Sequence, residues 1–446
     1  MAGSSAAPHI APVAAAPAAR GQHLRGIPAR AISTPAKLRV LMLGLIGVSL
    51  LWGGVAARTV VQHASAATDV VTASEPLSLD AEQIYRSLSD ADATEAAAFL
   101  SGGLEPISLR RRFEADIGQA ARHLEAATAA GRPVAGTRLA ALSAELPVYT
   151  GLVETARADN RLGLPLGAAY LRKASGLMRS TLLPAAQDLY AQENARLAAA
   201  NGQATAFPYL AVVAALITGF VLFGGQRWLA RRTHRALSPG LVVASIAAFG
   251  SVIWMVSALA VASSHLTDAR AHGSAPVEAL ARADIAILRA HADESLTLID
   301  RSGDDAFQQD FLSLEKALGP GRGTLLTSAA VAADGSRGAT QASAAAQLAP
   351  DWYASHRKVR TLDDAGSYTL AVDQAIGPGA ADSGTLFAGL DAHLTSAIAA
   401  DQASFQSSAR LGRDAVAGLE AGMIGLALVM AAGCAWGISR RLAEYR

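Results

Sequence analysis

Four stretches of this chain are almost uniformly apolar: Leu38–Ala57, Phe207–Phe223, Leu241–Ala262 and Val416–Ile438. Each approaches the ~20 residues a helix needs to cross the hydrocarbon core of a bilayer. Only the last contains an acid, Glu420. Between them lie two long segments, 58–206 and 263–415, in which apolar residues recur at helical spacing. Turn residues divide the first into helices running from the membrane to about Leu100, from Ile107 to Ala130, from Val134 to about Asn160, and from Leu164 to Asn201. In the second, breaks fall at Ser302-Gly303, Gly319-Pro320-Gly321, Gly335 to Gly338 and Gly377-Pro378-Gly379. The pattern predicts an all-α membrane protein. Four transmembrane helices carry two extracytoplasmic, four-helix-bundle-like domains, a span–bundle–span unit used twice.

A faint internal repeat supports duplication. Ala91–Gly103 (ADATEAAAFLSGG) precedes an aromatic and an acid, Phe113 and Asp116; His291–Gly303 (HADESLTLIDRSG) precedes Phe307 and Asp310. The last helix of the first bundle carries an anomaly. Along Tyr170–Tyr190 a seam of small and apolar residues runs through Leu171, Ser175, Met178, Leu182, Ala185 and Leu189, yet Arg179 and Pro184 interrupt the neighbourhood. A proline removes a backbone hydrogen bond and bends a helix. Pro184 therefore reads either as a kink steering the helix into the bilayer or as a hinge coupling the bundle to the span. The arginine head reaches water or an acid on a neighbouring helix.

Charge orients the spans. Arg20, Arg25, Arg30, Lys37 and Arg39 precede any acid; the first is Asp69. The connection between spans two and three holds Arg227, Arg231, Arg232 and Arg235, and the C-terminal end holds Arg440, Arg441 and Arg446 against Glu444. All three basic segments fall on one side of a four-span chain, the cytoplasmic side by the positive-inside rule. The long segments carry 14 basic to 16 acidic residues (58–206) and 12 to 19 (263–416), and lie outside. The expected layout is a disordered basic cytoplasmic tail (1–37), a first outer bundle (58–206), a basic cytoplasmic loop (224–240), a second outer bundle (263–415) and a cytoplasmic stub (439–446). The protein is then a multi-pass protein of the cell membrane with both termini cytoplasmic. The alternative reading of the first span as a cleaved signal peptide fits poorly, because its apolar core and its leader are both long for one.

Composition agrees. The chain is 51% hydrophobic and only 17% charged, against roughly 25% charged in ordinary globular chains. The single cysteine, Cys434, leaves no partner for an internal disulfide or a zinc site. No HExxH, CxxC, P-loop or GxSxG pattern occurs, so neither enzymatic activity nor a cofactor is expected. Nucleic acid is not an expected partner. The acid pairs Asp90/Asp92, Asp304/Asp305 and Asp363/Asp364 read as caps at helix ends, and His291 and His356 as surface or capping histidines.

Two features remain as candidate contacts. Trp352, Tyr353, His356 and Arg357 cluster in a chain poor in aromatics, the residue types enriched at protein interfaces; the alternative is a helix whose aromatics seal the bundle while its charges face water. In the last span, Gly418-x-x-x-Gly422 and Gly433-x-x-x-Gly437 let helix backbones approach closely, within the chain or in a homodimer. Glu420, between the first pair, sits at the interface or pairs with a cation on another span.

Nearly all the helical mass lies outside, so any signal must pass to partners inside, with Arg227, Arg231, Arg232, Arg235, Arg440 and Arg441 as the contact candidates. Ser87–Pro106 (SLSDADATEAAAFLSGGLEP), Leu182–Tyr190 (LLPAAQDLY) and the four-span, two-bundle layout resemble the GlnX-type membrane proteins of actinobacteria. That resemblance implies a non-enzymatic transducer between a periplasmic GlnH-type amino-acid-binding lipoprotein and the soluble serine/threonine kinase PknG. It carries over no ligand residue position by position. Two other readings stay open from the residues alone: a chemoreceptor-like sensor that binds a small molecule directly, and an envelope scaffold.

Overall fold

The computed structural model describes residues 34–130, 136–233, 238–300 and 305–443, and every described element is helical. The first helix, α1 (Thr34–Asp69), passes through one π-helical turn at Val70–Ser74 and continues as α2 (Glu75–Leu100). Then come α3 (Ile107–Ala129) and α4 (Gly136–Arg161), followed by α5 (Leu166–Leu177), which runs through a π turn at Met178–Leu182 into α6 (Leu183–Ala204). α7 (Tyr209–Thr233) closes the first unit. The second opens in the same way: α8 (Pro239–Ala269), a π turn at Arg270–Ser274, and α9 (Ala275–Ile299). It continues with α10 (Ala306–Leu318), α11 (Leu325–Ala332), α12 (Ala339–Asp364), α13 (Tyr368–Ile376), α14 (Ser383–Ala415) and α15 (Leu419–Ala443). Four helices are long and apolar enough to cross a membrane; the chain is an all-α membrane protein. The expected breaks at Gly131-Arg132-Pro133 and Ser302-Gly303, the tail before residue 34, and Asp304 lie outside the described residues.

The second unit departs from the expected four helices. Its glycine–proline breaks are closely spaced, so α10, α11 and α13 are short pieces flanking α9, α12 and α14. The spans join the body in two ways. α1–α2 and α8–α9 run from membrane to body without losing helical geometry, whereas α6 and α7 are separated by Thr205–Pro208 and α14 and α15 by Val416–Gly418. Gly418 sits at φ +74°, a left-handed conformation open to glycine, and ends the helix there. It is a turn residue and not, as expected, a packing residue.

Each π turn precedes a proline by two residues: Pro76, Pro184 and Pro276. A proline ring collides with the carbonyl four residues back and offers that carbonyl no N–H. Here the residue before each proline donates five residues back, Glu75 to Val70, Leu183 to Met178 and Ala275 to Arg270. The widened turn makes room for the ring and re-satisfies the ladder. Pro184 therefore marks a π turn. The first and third π turns stand at matching places in the two units, as the repeat predicts.

The two bundles form a single body because α2 and α9 pack side by side at its centre. The core of the first bundle, with Leu88, Phe113, Tyr149 and Leu182, takes in Ile285 of α9. At the far end Leu100 and Leu171 pack with Leu296 and Val359. Nearer the membrane Val70, Leu197, Leu266 and Phe405 make another shared cluster. Within the membrane α15 lies between α1 and α8. Its Gly433 and Gly437 meet Gly240 of α8, where an added Cβ on Gly433 would come 2.7 Å from the Gly240 carbonyl. Ser238 Oγ donates to the Gly437 carbonyl (3.2 Å). The expected close packing at these two glycines is thus within the chain. Gly422 lies directly beneath the Trp254 ring.

Candidate functional site: a charged seam between the bundles

Because α2 and α9 are enclosed on most sides, many of their polar residues cannot reach water. Asp90, Asp92 and Glu95 on α2, with Asp284, Asp293 and Glu294 on α9, are all buried. Asp90 and Asp92 stand in the middle of α2 and not at its end, so the expectation of helix caps is wrong for that pair. A buried charge must be paired or neutralised, and both solutions occur here.

Arg86 of α2 donates from Nε to Asp284 (2.8 Å) and from Nη2 to Asp391 of α14 and the Thr395 hydroxyl (2.8 Å each). Asp391 is shared, since its other oxygen accepts from Arg112 Nη2 (2.9 Å). Arg112, on α3, also holds Asp90 through Nε (3.1 Å). With the buried Asp116 beside them, two arginines face four aspartates. Burial, with the nearby Asp90 charge second, pushes Asp116 up to about 8. Burial also takes Asp284 to about 7, with Arg86 only partly opposing it. One carboxylate oxygen of each has no hydrogen-bond partner.

Further from the membrane, Arg179 resolves the anomaly of the sequence. The π turn that carries it points its guanidinium across the seam to Asp293 of α9, over the Phe307 ring, 3.8 Å from Asp92 and 3.9 Å from Asp310. Asp92 in turn accepts from Ser175 Oγ (2.9 Å) and from the Tyr149 hydroxyl (3.4 Å). Arg172 reaches Asp300 of the other unit (3.2 Å). The aromatic-and-acid element of the repeat, Phe113/Asp116 and Phe307/Asp310, contributes to the seam from both sides. Inside the first bundle Arg157 is buried against Glu95, Glu105 and Glu154, with its guanidinium 4.4 Å from the Phe113 ring centre. Burial, opposed in part by Arg157, raises Glu95 to about 8.

The second bundle has its own polar core. Ser383 Oγ donates to Glu294 Oε2 (2.6 Å) and accepts from Trp352 Nε1 (2.9 Å). Glu294 Oε1 lies 3.0 Å from His356 Nδ1, and His356 Nε2 lies 3.2 Å from Gln308. Phe311 stacks on His356 and Phe387 on His291. Burial would raise Glu294, but the two histidines beside it, His291 at 3.6 Å and the hydrogen-bonded His356, outweigh it and hold the carboxyl at about 2. Trp352, Tyr353, His356 and His291 are therefore interior residues, which corrects the surface placement of both histidines. Of the expected contact patch only Arg357 is exposed, beside Glu315 (3.0 Å).

The remaining candidates are scattered. Arg227 and Arg231 are exposed on the last turns of α7, and Arg440 is exposed 6.0 Å over the Trp436 ring. Arg235 and the side chains of Arg232 and Arg441 lie outside the described residues. Glu420 is exposed in the first turn of α15 and has no ion pair among the described residues, a placement that suits a helix N-terminus. Sequence reasoning missed the whole Arg86–Arg112–Asp284–Asp391 group. Its only outward sign was the number of charges on α2 and α9, helices that directly follow membrane spans.

Comparison with known families places the seam in context. Residues 66–202 match the family model described as "Actinobacterial sensor domain". The match runs from the end of α1 through α6, so it contains Arg86, Arg112, Arg179 and two of the three π turns. It supports a sensing or signalling role. No curated protein and no solved structure matches the chain.

Proposed function

We propose that this chain is a non-enzymatic transmembrane transducer of an amino-acid signal. The two-bundle body lies outside the membrane and engages a periplasmic binding lipoprotein loaded with glutamate, aspartate or glutamine. The basic segments, with both termini, lie in the cytoplasm and pass the signal to a serine/threonine kinase. The observation that carries this reading is the pair of unbroken helices, α1–α2 and α8–α9, whose outer halves meet in the ion-paired seam. Displacement at the seam then reaches the spans along stiff helix.

The test is a cysteine pair at Gly53 of α1 and Ala427 of α15, which are in contact, in a Cys434→Ala background. Its crosslinking rate should change when amino acid and binding protein are supplied together to membranes. A rate that ignores both would refute transduction through these spans. A direct small-molecule sensor is the second reading. It is favoured by a cleft of about 430 Å³ between α2 and α14, lined by Asp80, Gln83, His123, Gln406 and Arg410. Binding heat from glutamate and the full chain alone, with no binding protein, would select it.

A further inference from the structure

At the foot of the body α2, α6, α9 and α14 converge. These are the helices that lead to the four spans. They enclose a cavity of about 30 Å³, lined on its polar side by Ser78 and Glu82 of α2, Tyr190 and Asn194 of α6, Ser274 of the third π turn, and Gln402 of α14. Apolar walls come from Leu197, Val277 and Phe405. A space of that size holds about two waters or one small ion.

Glu82 is 1% exposed. Its Oε2 accepts two amide hydrogens, from Gln83 (3.1 Å) and Gln402 (3.3 Å), while Oε1 has no hydrogen-bond partner. Amide donors favour the charged carboxylate, but among the described residues no arginine, lysine or histidine is bonded to it. Arg86, one turn further along α2, gives its donors to Asp284, Asp391 and Thr395. Burial alone would push Glu82 towards its neutral form, with Arg86 only partly opposing. Glu75 at the same cavity is likewise raised by burial, and its one side-chain hydrogen bond is from Gln406 (3.0 Å). The fold thus presents a half-satisfied carboxylate to a small, partly open cavity, with the Ser78 and Tyr190 hydroxyls and Asn194 in its lining. Carboxylate and hydroxyl oxygens suit a hard cation. Among the described residues no group of three or more His, Cys, Asp or Glu is placed to hold a metal ion. Of the two carboxylates in the lining, Glu75 is bonded by Gln406 and only Glu82 keeps a buried oxygen without a partner among the described residues, which matches a single positive charge.

We infer that this cavity binds one small monovalent cation, sodium, potassium or ammonium, with Glu82 as its charged ligand and the Ser78, Tyr190 and Asn194 oxygens around it. A bound ion ties α2 to α6, with Gln402 of α14 held to the same carboxylate, just above the π turns at Val70–Ser74 and Arg270–Ser274. It stabilises the joined arrangement by mass action. This site does not depend on which signal the body senses.

The test is thermal melting of the full chain in detergent at constant ionic strength. Chloride salts of sodium, potassium and ammonium are each titrated against N-methylglucamine, a cation too large for the cavity. The expected result is a saturable rise in melting temperature with at least one small cation. Glu82→Gln should weaken its apparent affinity about ten-fold or more, and Ser78→Ala by a few-fold, which gives a readout should Glu82→Gln fail to fold. Identical melting in all four salts would overturn the inference and leave the cavity to water. So would a cation-dependent rise that both variants retain in full.

Discussion

Replacing Arg179 with methionine keeps an unbranched stem of similar length and deletes the charge that bridges the two bundles. Asp293, which Arg179 holds, is wholly buried. Burial raises its carboxyl from 3.8 to about 6, with Arg179 the largest opposing influence. A carboxyl whose folded pKa is raised contributes stability that is fully present below the unfolded value and lost as pH rises through the folded one. In the intact protein that loss levels off once Asp293 ionises, just above pH 6. Without Arg179 the acid stays protonated in the fold to higher pH, and the loss continues at about 1.4 kcal/mol per pH unit. From Asp293 alone the variant should fall behind by about 1.4 kcal/mol at pH 7 and about 2.7 kcal/mol at pH 8. Losing the interaction with Asp92 brings the total towards the ~3–5 kcal/mol typical of a broken buried pair. At roughly 2–4 °C per kcal/mol, the gap in melting temperature at pH 8 is roughly 6–20 °C. The assay is thermal melting of the full chain in detergent from pH 5.5 to 8, followed by tryptophan fluorescence. The two curves should diverge above pH 6, and adding Asp293→Asn should remove most of the divergence. A gap that stays constant with pH, or no gap at all, would refute the coupling of Arg179 to Asp293.

Two further outcomes follow from the same geometry. The intact body should be most stable at about pH 4, where the raised carboxyls still largely hold their protons in both states and Glu294 keeps most of its contribution. Asp284 (about 7) and Asp116 and Glu95 (about 8) lose their contribution as pH rises through those values, whereas Glu294, held at about 2, loses its contribution only as pH falls below 4.5 towards 2; a melting temperature that climbs steadily from pH 5 to 8 would contradict this. Gly240→Leu should lower the melting temperature by forcing α8 from α15, an overpacking cost of about 1–3 kcal/mol, while the same change at Gly54, which has open space around it, should be silent; equal effects at both positions would refute the contact.

The membrane helices were legible because an unbroken apolar run of ~20 residues is costly to keep in water and matches the thickness of a bilayer. The bundle helices were legible because helical spacing and glycine–proline breaks are local signals. Gly433 and Gly437 gave their close approach but not its partner, Gly240, which lies almost two hundred residues earlier. The seam was hidden for a physical reason. Asp90 and Asp92, or Asp284 and Asp293, look in sequence like the solvated stripe of an ordinary helix, and only the tertiary arrangement encloses that stripe. His356 misled in the opposite direction, since a histidine among charged residues reads as exterior, whereas the reading of Trp352 and Tyr353 as residues that seal the bundle while Arg357 faces water is what the fold shows. Arg179 and Pro184 were the one visible irregularity, and they mark where the first bundle grips the second.

The two halves of each unit differ in mechanical stiffness. α1–α2 and α8–α9 are push-rods of unbroken helix; α6–α7 and α14–α15 have a joint where they meet the bilayer. If α2 slips past α9 by a single residue's rise, about 1.5 Å, that stroke reaches the far ends of α1 and α8. The joints at Thr205–Pro208 and Val416–Gly418 let α7 and α15 stay where they are. The moving parts are then one inbound helix from each unit, with their outbound neighbours as the fixed guides.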